Sequence, residues 1–165
     1  MYYLGLDIAT YRTGWCVAKV ENHKIKSIQK GTLFLPEAPL PKRLLELQNQ
    51  VTILKKNYQL EPILFKEQPL HSKRSNIISA AMFKAHGVVE AVFHDFEPKD
   101  VNPVDVKKLM AGNGHATKKQ VEQGVRGWLK LPNEYEFYTD DESDAVGILI
   151  TGLMQKNKIN GIKVK

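Results

Sequence analysis

Four carboxylates stand where a folded chain seldom leaves an acid unpaired. Asp7 interrupts the apolar run Leu4-Gly5-Leu6-Asp7-Ile8, Glu67 follows Ile63-Leu64-Phe65-Lys66, and Asp141 and Asp144 open a final apolar segment. An ionised carboxylate inside a strand is costly unless it is protonated, paired or coordinated, so a cation is expected beside Asp7 and Glu67. Residues three apart on a helix share a face, which lets Asp141 and Asp144 aim together. If folding gathers all four, their summed charge is about −4, which two magnesium ions roughly 4 Å apart would neutralise. Such an all-oxygen site suits a hard cation and hydrolysis of a phosphodiester, with Asp7 as the carboxylate shared between the ions. Taken singly, each acid has a plainer reading as a turn or ion-pair residue, and Asp140-Asp141-Glu142 is what a helix dipole favours at its start. Asp140 lies four residues before Asp144, shares its face, and stands as an alternative to Asp141.

The elements that must carry these acids follow from periodicity. Tyr2 to Ile8, Thr13 to Val20 and Lys24 to Leu35 read as three strands of a meander, broken at Glu21-Asn22-His23. Pro36, Pro39 and Pro41 end it, and Leu44, Leu47, Val51 and Leu54 recur at helical spacing. After Pro62, Ile63 to Glu67 reads as a fourth strand, and Ile77 to Val92 as a helix capped by Ser75 or Asn76. Pro98 to Val101 suggests a fifth strand, Asn102-Pro103 opens a helix, and Thr117 caps another over Lys118 to Leu131. The last helix starts near Asp140 or Asp141 and buries Ala145, Ile148, Leu149 and Leu153. The expected fold is α/β: a five-stranded mixed sheet, three antiparallel strands followed by parallel ones, with helices on both faces. One domain over 1–157 and a basic tail over 158–165 are expected.

The formal net charge is +6 and the pI about 9.3, which favours an acidic partner such as nucleic acid without specifying a fold. The single cysteine, Cys16, excludes an internal disulfide framework or a cysteine zinc site. No stretch has the roughly 18 apolar residues of a membrane span, and the N-terminus lacks a signal pattern, so a cytoplasmic protein is expected.

The blocks occur in a telling order: Asp7 with Thr13-Gly14-Trp15, then Glu67-Gln68, then Lys118 opening a helix, then Asp141, Asp144 and Ala145. In combination, and over essentially the whole chain, they resemble the RuvC family of Holliday junction resolvases, in particular its bacteriophage-type members. The resemblance implies an RNase H-like fold, a homodimer, and paired nicks in opposed strands of a four-way DNA junction. It also implies two Mg2+ per active site, with Mn2+ as a substitute, held by Asp7, Glu67, Asp141 and Asp144. Lys118 matches the family's active-site lysine, whose charge stabilises the phosphorane as negative charge builds. Lys107 matches a second basic position near the scissile strand, while Lys108 and Lys119 read equally well as DNA contacts or as ordinary exposed lysines. Lys73 and Arg74, in the loop after the Glu67 strand, are placed to reach phosphate.

One departure from the family pattern bears on specificity. Members that choose their cleavage sequence carry an aromatic residue shortly after the Glu-Gln pair, and here the chain reads Pro69-Leu70-His71. Base stacking contributes about 1 to 3 kcal/mol, so broader cutting of branched DNA, forks and flaps included, is expected. The second helix, with Phe83 and His86 as face residues, is the candidate dimer contact. Two alternatives are a noncatalytic branched-DNA-binding protein and an actin-like or sugar-kinase ATP-binding lobe. The second rests on Asp7-Ile8-Ala9-Thr10 with Gly14, although Ala9 stands where such a phosphate loop has glycine.

Overall fold

The computed structural model describes residues 1–70 and 75–160. β1 (Tyr2–Asp7), β2 (Arg12–Glu21) and β3 (Lys24–Phe34) form an antiparallel meander. Its second hairpin turns on Asn22 and His23, both left-handed at φ 50° and 58°, the pairing that matches the twist of the flanking strands. β4 (Leu60–Glu67) runs parallel to β1, and β5 (Glu97–Val101) parallel to β4, giving the order β3-β2-β1-β4-β5. This is the mixed RNase H-like sheet that the sequence leads one to expect.

Helices α1 (Leu40–Asn57) and α2 (Asn76–Val92) cover one face, where Leu47, Val51, Ala85 and Val89 pack on Leu4, Leu6 and Leu64. The other face is covered by α3 (Pro103–Ala111), α4 (Lys118–Leu129) and α5 (Asp140–Gln155), which pack around Tyr3, Cys16, Ala18 and Phe65. Local capping sets the helix starts: Ser75 accepts from Ile78 N, Asn102 from Val104 N, and Thr117 forms a reciprocal capping box with Gln120.

Two boundaries differ from expectation by more than one residue. β4 starts at Leu60 and contains Pro62; a register shift against β1 between Tyr2 and Leu4 accommodates the proline's missing donor. α4 stops at Leu129, because Lys130 turns left-handed at φ 51° and Leu131 N reaches back to Arg126 O.

α5 lies directly on the sheet and is buried from Asp141 through Leu153 except at Asp144. Two glycines allow that approach. A Cβ on Gly14 would stand 1.9 Å from the Asp141 carbonyl oxygen, and one on Gly5 would stand 2.6 Å from Leu149 Cβ. The glycine of the Thr13-Gly14-Trp15 block is thus what allows the acidic first turn of α5 to sit against β2.

Candidate active site

Asp7 and Glu67 are the last residues of the adjacent parallel strands β1 and β4. Alternation sends Leu6 and Lys66 towards α1 and α2, so Asp7 and Glu67 point to the α5 side. The first turn of α5, held down over Gly14, adds Asp141 and Asp144, and the start of α4 adds Lys118. All five line one cleft of about 330 Å³ at the sheet edge. The acids, scattered through the sequence, do converge. Lys107 lines the adjoining cavity with Glu67, Lys118 and Asp144.

The electrostatics are those of an acid cluster short of positive charge. Burial, then the neighbouring Glu67 and Asp144, holds the Asp7 carboxyl well above its ordinary range. Burial also raises Glu67, which shares a hydrogen bond with Asp7, and Asp144. Lys118 Nζ stands 2.9 Å from Asp144 Oδ2; burial opposes its charge, but that partner prevails and its pKa is raised. Arg12 Nε lies 3.0 Å from Asp141 Oδ2, yet that buried oxygen accepts no hydrogen bond. Among the described residues no group of three or more His, Cys, Asp or Glu is arranged to hold a metal ion as it stands. Two of the four acids are engaged by cations of the chain, and the other two share a hydrogen bond. The oxygen-only donor set, the unbonded Asp141 oxygen and the protonation-prone Asp7 all fit a hard divalent cation.

Of the neighbouring acids, Asp140 is exposed and lines neither cavity, whereas Glu142 is buried and turned away. Glu142 meets Lys30 Nζ of β3 at 2.5 Å and accepts from Tyr138 N at 3.0 Å. Lys30 is also 4.9 Å from the Phe137 ring centroid and 5.3 Å from those of Tyr135 and Tyr138. This buried pair ties the first turn of α5 to the sheet, next to the Thr32–Thr139 hydroxyl contact. Lys30→Met leaves Glu142 buried without its cation, and a loss of about 3 kcal/mol is expected. That corresponds to a fall in Tm of roughly 6 to 12 °C by calorimetry. Adding Glu142→Gln should recover most of it.

Not every candidate reaches the cleft. Lys108 faces a different cavity with Asp105, Leu109 and Met154, and Lys119 is exposed and lines neither of the two cavities at the acids. Lys73 and Arg74 lie outside the described residues. His86 corrects the expectation for α2: it is 4% exposed rather than a face residue, because Lys66 beneath it draws the ring inward. Phe83, Ile77 and Ile78 of the same helix are exposed. Sequence reasoning missed Arg12, Lys30 and the cleft-lining position of His86. The alternation that places Glu67 towards α5 also requires Lys66 to enter the opposite face, and that signal was available.

The sequence profile of the family described as "Crossover junction endodeoxyribonuclease RuvC" matches residues 3–152. The chain is similar to the crossover junction endodeoxyribonuclease RuvC of Dictyoglomus thermophilum, with 30% identity covering 92% of this chain and 95% of that one. It is 27% identical to the protein of the same description from Syntrophomonas wolfei, over 93% and 88% of the two chains. In fold it resembles RuvC of Thermus thermophilus, with TM-score 0.78, 23% identity, and 96% and 98% coverage. The yeast mitochondrial Holliday junction resolvase Ydc2 follows with TM-score 0.63, 14% identity, and 94% and 79% coverage. These bacterial relatives give no support to the expected bacteriophage origin. With a profile match over nearly its whole length, the chain belongs to the RuvC family of crossover junction endodeoxyribonucleases.

Proposed function

We propose that this protein is a divalent-metal-dependent, structure-selective DNA endonuclease that resolves four-way junctions as a cytoplasmic homodimer. The observation that carries the reading is the convergence of Asp7, Glu67, Asp141, Asp144 and Lys118 on one cleft at the sheet edge. A noncatalytic binding protein would have no use for so costly a cluster of buried acids. The ATP-lobe reading is set aside, because residues 3–152 match the nuclease family. RuvC of Thermus thermophilus, 22% identical, has been solved in complex with Holliday junction substrate, which supports branched DNA as the substrate class.

In this reading the four carboxylates hold two Mg2+ ions, for which Mn2+ substitutes. When bound, the ions supply an activated water and neutralise charge developing on the phosphodiester. Asp7 and Glu67 would give up the proton they share, and Asp141 would leave Arg12 to join the donor set. Lys118, released from Asp144, places its ammonium where negative charge builds. Replacing Lys118 with Gln is expected to slow single-turnover cleavage about 100-fold while leaving DNA affinity nearly unchanged, as read by fluorescence anisotropy.

Lys107 lies beside the cut strand, and Lys73, Arg74, Lys108 and Lys119 add charge along the DNA path, so binding weakens steeply with salt. Leu70, 56% exposed where sequence-selective relatives would stack an aromatic, gives relaxed sequence preference and activity on forks and flaps. Ile77, Ile78 and Phe83 on α2 supply the apolar face for dimerisation, which provides the two opposed active sites. Residues 1–157 are read as the nuclease domain and 158–165 as a basic tail, although Ile159 is buried in the core of that domain.

The test is cleavage, in Mg2+ and in Mn2+, of a four-way junction, a fork, a flap and an RNA–DNA hybrid side by side. Symmetric paired nicks in the junction support the reading. Cleavage of the hybrid alone, or no cleavage in either ion, contradicts it.

A further inference from the structure

His86 lines the same cleft as Asp7 and Glu67, on the wall supplied by α2 beside Met82. Behind it stands Lys66, 1% exposed, entering the sheet face opposite to Glu67. Its ammonium meets Glu90 Oε1 at 2.9 Å, Asp100 Oδ1 of β5, and Nδ1 of His86 at 3.4 Å. An ammonium can only donate, so Nδ1 must accept. Burial, reinforced by Lys66, lowers the imidazole pKa to about 4, and the ring is neutral. Its one proton therefore sits on Nε2. Among the described residues nothing accepts from Nε2, and the residue lines the cleft that holds the acids.

We propose that His86 is a substrate-contacting residue of the cleavage site, its Nε2–H donating to a phosphodiester oxygen of the cut strand, with Lys66 as the positioning residue that fixes the tautomer. The proposal rests on the endonuclease reading above and adds a residue to it. Its chemistry suits the place. A cation on this wall would compete with divalent metal for Asp7 and Glu67, whereas a neutral N–H grips an anionic oxygen without opposing the metal. Glu90 and Asp100 hold Lys66 at its post, so the donor is oriented before DNA arrives and pays little ordering entropy on binding.

Two substitutions separate the N–H from the shape of the ring. His86→Phe keeps a flat ring without a donor, and His86→Gln keeps an amide N–H near the position of Nε2. In single-turnover cleavage of a four-way junction, His86→Phe is expected to be about tenfold slower at saturating DNA, and His86→Gln within about threefold of the parent. Long-range 15N–1H spectra of the parent protein supply a readout independent of turnover. They should show the Nε2–H tautomer, with a shift of the Nε2 proton when junction DNA is added in Ca2+, and Lys66→Met should yield a mixture of tautomers. A His86→Phe rate equal to the parent's, an equal loss in both His86 variants, or an Nδ1–H tautomer in the parent overturns the assignment while leaving the nuclease reading intact. Failure of the parent to cut any branched DNA overturns both.

Discussion

Replacing Asp7 by asparagine is expected to abolish cleavage and, at the same time, to make the metal-free protein more stable. Both effects come from one buried charge. At the end of β1, Asp7 faces Glu67 and Asp144 in a cleft where burial already disfavours ionisation. As a carboxylate that feels the charge of Glu67, Asp144 and Asp141 it is well placed to be shared between two cations, and removing it is expected to forfeit about 4 to 5 kcal/mol of transition-state stabilisation, or roughly a thousandfold or more in rate. In the absence of metal the same charge opposes folding. An acid whose pKa is raised by folding favours the native state below its unfolded value, and this contribution is lost as pH rises through the folded value. The metal-free parent should therefore lose stability as pH rises above the ordinary carboxylate range, about pH 4, whereas Asp7→Asn should lose less. At neutral pH the variant is expected to melt roughly 2 to 8 °C higher, corresponding to about 1 to 2 kcal/mol of relieved desolvation. Near pH 4 the gap should close. Metal should raise the Tm of the parent and leave that of Asp7→Asn nearly unmoved. Equal stability of the two metal-free proteins at all pH values would mean that Asp7 is not under the strain described.

The second large effect is expected where no reacting group is touched. Gly14→Ala places a methyl carbon 1.9 Å from the carbonyl oxygen of Asp141, a backbone atom that cannot rotate away. The first turn of α5 must lift from β2, or β2 must bend. Overpacking of this kind costs about 3 kcal/mol, which corresponds to roughly 6 to 12 °C in Tm. Because the displaced turn carries Asp141 and Asp144, the surviving folded protein should also bind Mn2+ more weakly and cut more slowly. Calorimetry and metal titration on the same sample would read both. A variant that melts like the parent with unchanged metal affinity would contradict the packing described for α5.

What could be read from the sequence divides along physical lines. Elements set by local chemistry were legible. Asn102-Pro103, Thr117 with Gln120, and the Asn22-His23 turn each carry their own capping or turn signal within a few residues. Asp7 and Glu67 were legible because an acid in an apolar strand is costly, and Asp141 and Asp144 because their spacing puts both on one helix face. Pairings between distant residues were not. Lys30 and Glu142 are 112 positions apart, and nothing near either one announces the other. Arg12 is 129 positions from its partner Asp141, and nothing near it announces that pairing. Pro62 suggested a strand boundary, because the extra residues of β4 that tolerate it become apparent only when that strand is paired with β1. His86 read as a helix-face residue, since only the fold reveals that Lys66 rises beneath it.

Diffraction from crystals soaked in Mn2+, with anomalous data, tests most directly whether the gathered acids form a cation site. Two anomalous peaks sharing Asp7 are expected, with Asp141 turned from Arg12 and Asp144 turned from Lys118. A cleft without a peak at full Mn2+ load, with both ion pairs still closed, would contradict a cation site there.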